Sequence, residues 1–184
     1  MNRSIALLAV ALSLAPIAAH AADWIVDPAA STIAFSGTQL GAPFTGHFKQ
    51  FSATISFDPA HPEAGHAVVL VDTASAATGD VQRDEALPQA DWFDAKTIAQ
   101  ARFEATRFVA KGGDTYDAVG SLTIRNAKRD VTLPFKLTIA GGKAHAVGHL
   151  QLVRTDFGVG QGDWATPQWV ALEVGVDIDV TAHQ

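Results

Sequence analysis

Apolar and polar residues alternate one by one along most of the chain after Asp23. Val131, Leu133, Phe135, Leu137 and Ile139 are apolar, with Thr132, Pro134, Lys136 and Thr138 between them. The last segment repeats the pattern, setting Val170, Leu172, Val174, Val176, Ile178 and Val180 against Glu173, Asp177 and Asp179. Successive side chains on a strand point to opposite faces. A period of two therefore predicts antiparallel strands with one face on a core and the other in water. Shorter copies run through Ile33 and Phe35, through Phe51, Ala53, Ile55 and Phe57, and through Ala101, Phe103 and Ala105. Tyr116, Ala118, Gly120, Leu122 and Ile124 form another, and residues 66–73 and 144–153 add two more. Asp58-Pro59, Gly112-Gly113-Asp114, Asn126-Ala127 and Gly141-Gly142 punctuate these runs as turns.

About eight strands result, mostly joined by short turns. A sheet that long exposes two edges, and closure removes them, so the pattern predicts an all-β fold: an eight-stranded antiparallel barrel. Gly79 to Gln100 is the exception. It lacks alternation and predicts one or two short helical segments, with Asp80 and Asp94 as N-caps.

The inward faces of this barrel are short of bulk. Ala53, Ala101, Ala105, Ala118, Gly120, Ala144, Ala146 and Gly148 all fall on them. Protein interiors pack to crystal density, and an eight-stranded barrel is just wide enough for side chains to fill or for one ligand. Small residues can serve tight curvature, or they can leave room for an apolar molecule. In the second case the wall would comprise Phe35, Phe48, Ile55, Phe57, Phe103, Leu122, Phe135, Leu137, Leu150 and Leu172. Such a wall selects apolar length. At about 0.8 kcal/mol per buried CH₂, a chain of about twenty carbons gains roughly 16 kcal/mol gross. Association and ordering remove about half or more of that, leaving micromolar or tighter binding.

The ends and totals add a setting. Arg3 precedes an apolar run from Ile5 to Ala18, and Ala19-His20-Ala21 has the small-x-small form of a cleavage site. Residues 1–21 are expected to be a secretory signal peptide, and 22–184 one domain of 163 residues. Loss of Arg3 takes the net charge from −6 to −7, which argues against nucleic acid or anionic lipid surfaces as partners. With no cysteine, neither disulfides nor thiolate metal sites enter.

Chemical constellations are weak. His145 and His149 sit about 13 Å apart on one strand at ~3.3 Å per residue, too far to share a metal ion. His61 and His66 have no third partner, and no H-E-x-x-H or G-x-S-x-G string occurs. Gly158-Val159-Gly160-Gln161-Gly162 leads into Asp163-Trp164 and not into a helix, so it has no phosphate-binding dipole behind it. No catalytic residue, metal site or cofactor is expected. Arg83-Asp84 and Arg154-x-Asp156 stand where regular elements meet loops. They could close the barrel as ion pairs or meet a ligand's polar head.

Several strings, in order, resemble the YceI family over nearly the whole of residues 22–184. They are Trp24-Ile25-Val26-Asp27-Pro28, Phe44-Thr45-Gly46-His47-Phe48, Phe57-Asp58-Pro59, Thr78-Gly79, Arg83-Asp84 and Asp91-Trp92-Phe93-Asp94. Ala101-Arg102-Phe103, Gly120-Ser121-Leu122-Thr123-Ile124-Arg125, Val131-Thr132-Leu133-Pro134 and Arg154-Thr155-Asp156-Phe157-Gly158 complete the series. The resemblance implies a lipocalin-like barrel with a tunnel for an isoprenoid lipid or quinone, held in the periplasm. It also places Trp92 and Phe93 at the pocket wall. Gly160-Gln161-Gly162-Asp163-Trp164 is similar to the branch found beside cytochrome b561-type membrane proteins, which adds such a protein as a partner; a homodimer is a separate expectation. Asn126, Ala99 and Trp92 depart from the family's usual glycine, proline and phenylalanine. An enzyme acting on a lipid or quinone headgroup, and an accessory of a membrane redox complex, are the competing readings.

Overall fold

The computed structural model describes residues 22–184, so the expected signal peptide lies outside the described residues. Eleven strands form one antiparallel sheet among them. They are β1 (Ala22–Val26), β2 (Thr32–Gln39), β3 (Ala42–Phe48), β4 (Phe51–Phe57), β5 (His66–Asp72), β6 (Ala76–Ala77), β7 (Gln100–Gly112), β8 (Thr115–Ile124), β9 (Ala127–Ala140), β10 (Lys143–Val153) and β11 (Glu173–His183).

Eleven strands make eight walls because three walls are broken. β1 and β2 both pair with β11, through Val26–Ala182 and Thr32–Asp179, on either side of a turn at Pro28–Ala30. β4 pairs with β5 through Phe51–Val71, and β3 pairs with β6 through Phe48–Ala76. Asx capping makes two of the breaks. Asp27 accepts from the amides of Ala29 and Ala30, and Asp72 from that of Ala74, so each chain bends without losing its hydrogen bonds. The ring β1-β4-β5-β7-β8-β9-β10-β11 closes back on β1, giving the eight-stranded antiparallel barrel that the alternation predicts.

Two places depart from a regular barrel. In β7, Ala105 pairs with Gly120 but Arg107 pairs with Val119, so Thr106 is an extra residue. Side chains beyond this bulge change face. The strands approach so closely there that a Cβ on Gly120 would lie 1.9 Å from the Glu104 carbonyl oxygen, and only glycine fits. Between β9 and β10 the ladder runs only from Lys143–Ala140 to Gly148–Phe135. It stops one residue short of Pro134, which has no N–H to donate. Residues 127–134 of β9 pair with β8 alone, and residues 149–153 of β10 pair with β11 alone.

One short helix, α1 (Val81–Ala86), starts at Asp80, whose carboxylate accepts from the Arg83 amide as expected. The second expected helix is absent. Asp94 has φ +52°, a left-handed conformation that turns the chain where an N-cap would stay extended, and residues 94–98 make a tight turn instead. The last strand is also shorter than its alternation suggests. Val170 joins only an isolated bridge to Gln39, its carbonyl accepting from the Arg154 guanidinium, and Leu172 precedes β11, its carbonyl accepting from the Arg154 amide.

Candidate functional site

The inward faces leave a cavity of about 200 Å³ open to the centres of water-sized molecules. Seven residues expected in the wall line it: Ile55, Phe57, Phe103, Leu122, Phe135, Leu137 and Leu150. Ala53, Ala101, Ala118, Ala144 and Ala146 line it too, so these alanines make room. Ala105 and Gly120 serve the other purpose, the close strand approach at the bulge, and Ala105 is fully buried. Ile55, Phe103, Leu137 and Leu150 are only partly buried although they face inward, as expected of walls that do not meet. Every lining residue is apolar except Arg102, which pairs with Glu104 at 3.2 Å.

Toward the β4–β5 and β7–β8 connections the barrel is packed with rings. Phe57 meets Phe108 and Tyr116 at centroid distances of 5.0 and 5.5 Å, and Phe135 meets Phe108 and Tyr116 at 5.9 and 5.7 Å. Trp24 joins them and donates from Nε1 to the Phe57 carbonyl at 3.0 Å. Edge-to-face and offset geometry lets these rings pack against one another at that end, with Trp24, Phe57, Phe108 and Phe135 also bounding the cavity. Trp24 and Phe108 were not foreseen in the wall. The five residues of β1 are too few to show a period, and Phe108 faces inward only because the bulge shifts the alternation.

At the opposite end, Phe35, Phe48, Trp92 and Phe93 form a second apolar cluster with Phe44, Ala76, Leu87 and Val174. They cap the barrel and do not line the cavity. Leu172 also lies off the wall, and its carbonyl accepts from the Arg154 amide at 2.9 Å. The cap consists of two latched loops. The amides of Gly160 and Gln161 both donate to the Asp91 carbonyl at 2.8 Å, and Trp92 meets Trp164 at 5.5 Å. Arg125 donates to the carbonyls of Ala90 and Trp92.

The rim residues are engaged in this architecture, and neither expected ion pair forms. Arg154 is 4 % exposed and donates to the carbonyls of Val159, Gly160, Trp164, Thr166, Val170 and Ala171. Asp156 is exposed beside it. Burial pulls the Arg154 pKa below the usual arginine value. Arg83 reaches Gln39 at 2.6 Å and Thr78 at 3.1 Å, lies over the Phe44 ring, and has Asp80 at 3.8 Å as its carboxylate neighbour. Asp84 instead accepts from the Thr78 hydroxyl and amide, each at 2.7 Å. No hydrogen bond or ion pair joins these two groups across the cap among the described residues.

The Thr78 hydroxyl, then its amide, hold the Asp84 pKa below its ordinary value of 3.8. A carboxyl depressed in the folded state stabilises it above the unfolded pKa, and that contribution is lost as pH falls through the folded value. Asp84→Asn is therefore expected to lower the urea midpoint at pH 7 and to narrow its drop between pH 7 and pH 3. A midpoint drop as large as wild type would refute this assignment.

The two histidines of β10 face outward. His145 pairs with Asp179 and His149 with Asp177, each at 2.7 Å and half exposed on the outer face. Among the described residues no three His, Asp or Glu side chains are placed to hold a metal ion.

With this geometry in view, the comparisons converge. The YceI-like domain model matches residues 24–182. A UPF0312 protein of Vibrio parahaemolyticus serotype O3:K6 is 32 % identical over 161 residues, which are 83 % of this chain and 85 % of that protein. The crystal structure of Burkholderia cenocepacia BcnA superposes with a TM-score of 0.82 at 36 % identity, covering 85 % of this chain and 98 % of that one. A polyisoprenoid binding domain from Saccharophagus degradans superposes with a TM-score of 0.68, covering 89 % of this chain and 98 % of that one. At 16 % identity the last likeness is one of fold.

Proposed function

The chain belongs to the YceI-like family, and from that premise we propose that it binds a long apolar molecule, an isoprenoid lipid or quinone, inside its barrel. The binding serves carriage, storage or presentation of that molecule in the periplasm. One observation carries the reading: a cavity walled by hydrocarbon and aromatic side chains, lined by alanines where bulk would have closed it. The Saccharophagus domain shows the same barrel in a protein named for polyisoprenoid binding. The signal-like residues 1–21 support the periplasmic setting of this reading.

Binding is favoured over catalysis by the chemistry of the wall. The polar groups nearest to catalytic candidates, Arg83, Asp84 and Arg154, are spent on capping the barrel. An accessory role without a ligand would suit a filled interior, and this interior is not filled.

Native mass spectrometry of the protein purified gently from the periplasm tests the reading, followed by analysis of its extracted lipids. A discrete mass excess traced to a prenyl chain is expected. A clean apo mass, unchanged after incubation with polyprenyl lipids and quinones, would overturn it.

A further inference from the structure

Charged residues make up 17 % of the chain, yet residues 28–48 and 164–172 hold no Asp, Glu, Lys or Arg. The fold brings these two charge-free stretches together at the capped end of the barrel. The first contains the β2–β3 hairpin, and the second is the loop that runs into β11. The Leu40 amide donates to the Trp169 carbonyl at 2.8 Å and the Ala171 amide to the Thr38 carbonyl at 2.9 Å, while Gln39 bridges to Val170. Hairpin tip and loop are therefore one platform. Arg154 holds the loop from inside through the carbonyls of Trp164, Thr166, Val170 and Ala171.

Two large apolar side chains stand out from this platform. Leu40 is 70 % exposed and Trp169 44 %. Residues 41–43 and 165–168 beside them are exposed and uncharged as well. Leucine is doubly unfavourable at position 40. Leu40 and Gly41 form a two-residue turn with φ of +51° and +80°, the geometry that Asn-Gly serves with least strain. A leucine is strained in that left-handed conformation, and this one buries little of its side chain within the chain. An apolar residue kept exposed at a strained position points to a contact outside the molecule.

The size and charge of the tip select the partner. Leu40 and Trp169 together expose on the order of 250 Å², well short of the ~800 Å² per partner of a stable protein interface. A second copy of the chain finds too little there to hold. A bilayer needs less, because a few apolar side chains at headgroup depth give shallow, reversible contact. Tryptophan is enriched at that depth. Lys and Arg, which draw proteins to anionic lipid, are absent from both stretches, and the net charge of −6 opposes such lipid. We propose that the tip formed by Leu40 and Trp169 inserts into the headgroup region of a zwitterionic bilayer, setting the capped end of the barrel against the membrane. This stands on the surface alone and does not require the cavity to hold a ligand.

The test floats residues 22–184, the whole described fold, with vesicles of phosphatidylcholine alone or of equimolar phosphatidylcholine and phosphatidylglycerol. Wild type is expected to associate with the first and more weakly with the second. Leu40→Asn, which suits the left-handed turn, should weaken association about tenfold and keep the urea midpoint at or above that of wild type. Phosphatidylcholine brominated on the upper acyl chain should quench tryptophan emission, and Trp169→Phe should remove most of that quenching with association kept. Trp24 bounds the cavity, so quenching that survives in Trp169→Phe would show lipid captured inside and overturn the docking assignment. Leu40→Asn floating like wild type, no flotation on either vesicle, or stronger flotation on the anionic one would overturn it too. Sedimentation velocity checks the remaining occupant: a dimer that Leu40→Asn dissolves would give the tip to a second copy and refute the membrane contact.

Discussion

Leu122→Trp is expected to abolish uptake of a prenyl chain and to leave the far-ultraviolet β-sheet spectrum unchanged. Leu122 lines the cavity from β8, between Phe103 and Arg129, and is only partly buried. An indole there grows into empty space, so it displaces ligand volume without forcing the strands apart. Displacing about five carbons at ~0.8 kcal/mol each costs roughly 4 kcal/mol of binding, about a thousandfold in affinity. Leu137→Trp on β9 should act alike from another wall, since Leu137 faces the same cavity. Wild-type uptake in both variants, measured by co-purified lipid or by titration, would sink the carrier reading. An altered spectrum in one variant leaves the other to decide.

The second large effect concerns stability. Arg154→Ala is expected to cost about 3–5 kcal/mol, because its loss strips the guanidinium donors from the carbonyls of the buried residues Val159, Gly160 and Val170. At ~2–4 °C per kcal/mol for a domain of this size, the melting temperature should fall by about 10 °C. Arg154 ties the β10–β11 connection together from inside: its Nε bonds Ala171, its Nη1 bonds Val159, and its Nη2 bonds Trp164 and Val170. The guanidinium also lies over the Trp92 ring at 5.5 Å, joining that loop to the other half of the cap. Arg154→Lys should recover little, because an ammonium cannot spread five donors in a plane. A change of under about 1 kcal/mol in urea unfolding of Arg154→Ala would show that the carbonyls find other partners. The same variant should keep its affinity for geranylgeraniol, since the cap lies apart from the cavity wall.

How much of this was legible beforehand differs from element to element. β8, β9 and β10 were read with the correct inward faces because each is long, regular and wet on one side. Seven of the twelve expected wall residues line the cavity for the same reason. Phe35, Phe48, Trp92 and Phe93 are as apolar as the rest, and no local signal separates a residue that caps a barrel from one that lines it. That distinction depends on the break of three walls at Pro28–Ala30, Lys49-Gln50 and Thr73–Ser75, which turns part of the barrel into a closed end. Phe108 was missed because one extra residue, Thr106, reverses the faces beyond it.

Periodicity, composition and motif order by themselves determined the all-β class, the closed eight-walled barrel, the absence of thiol chemistry and the apolar character of the interior. These are properties summed over many positions, and each strand carries them independently of the others. Tertiary structure alone decided where the interior is empty, which small residues make room and which admit a neighbouring strand. It also decided that Arg154 bonds carbonyls instead of Asp156, and that the β9–β10 ladder ends before Pro134. Those outcomes depend on register and on distances between residues far apart in the chain. Alternation along one strand specifies which face each side chain takes; its partner on the next strand is set only when the barrel closes.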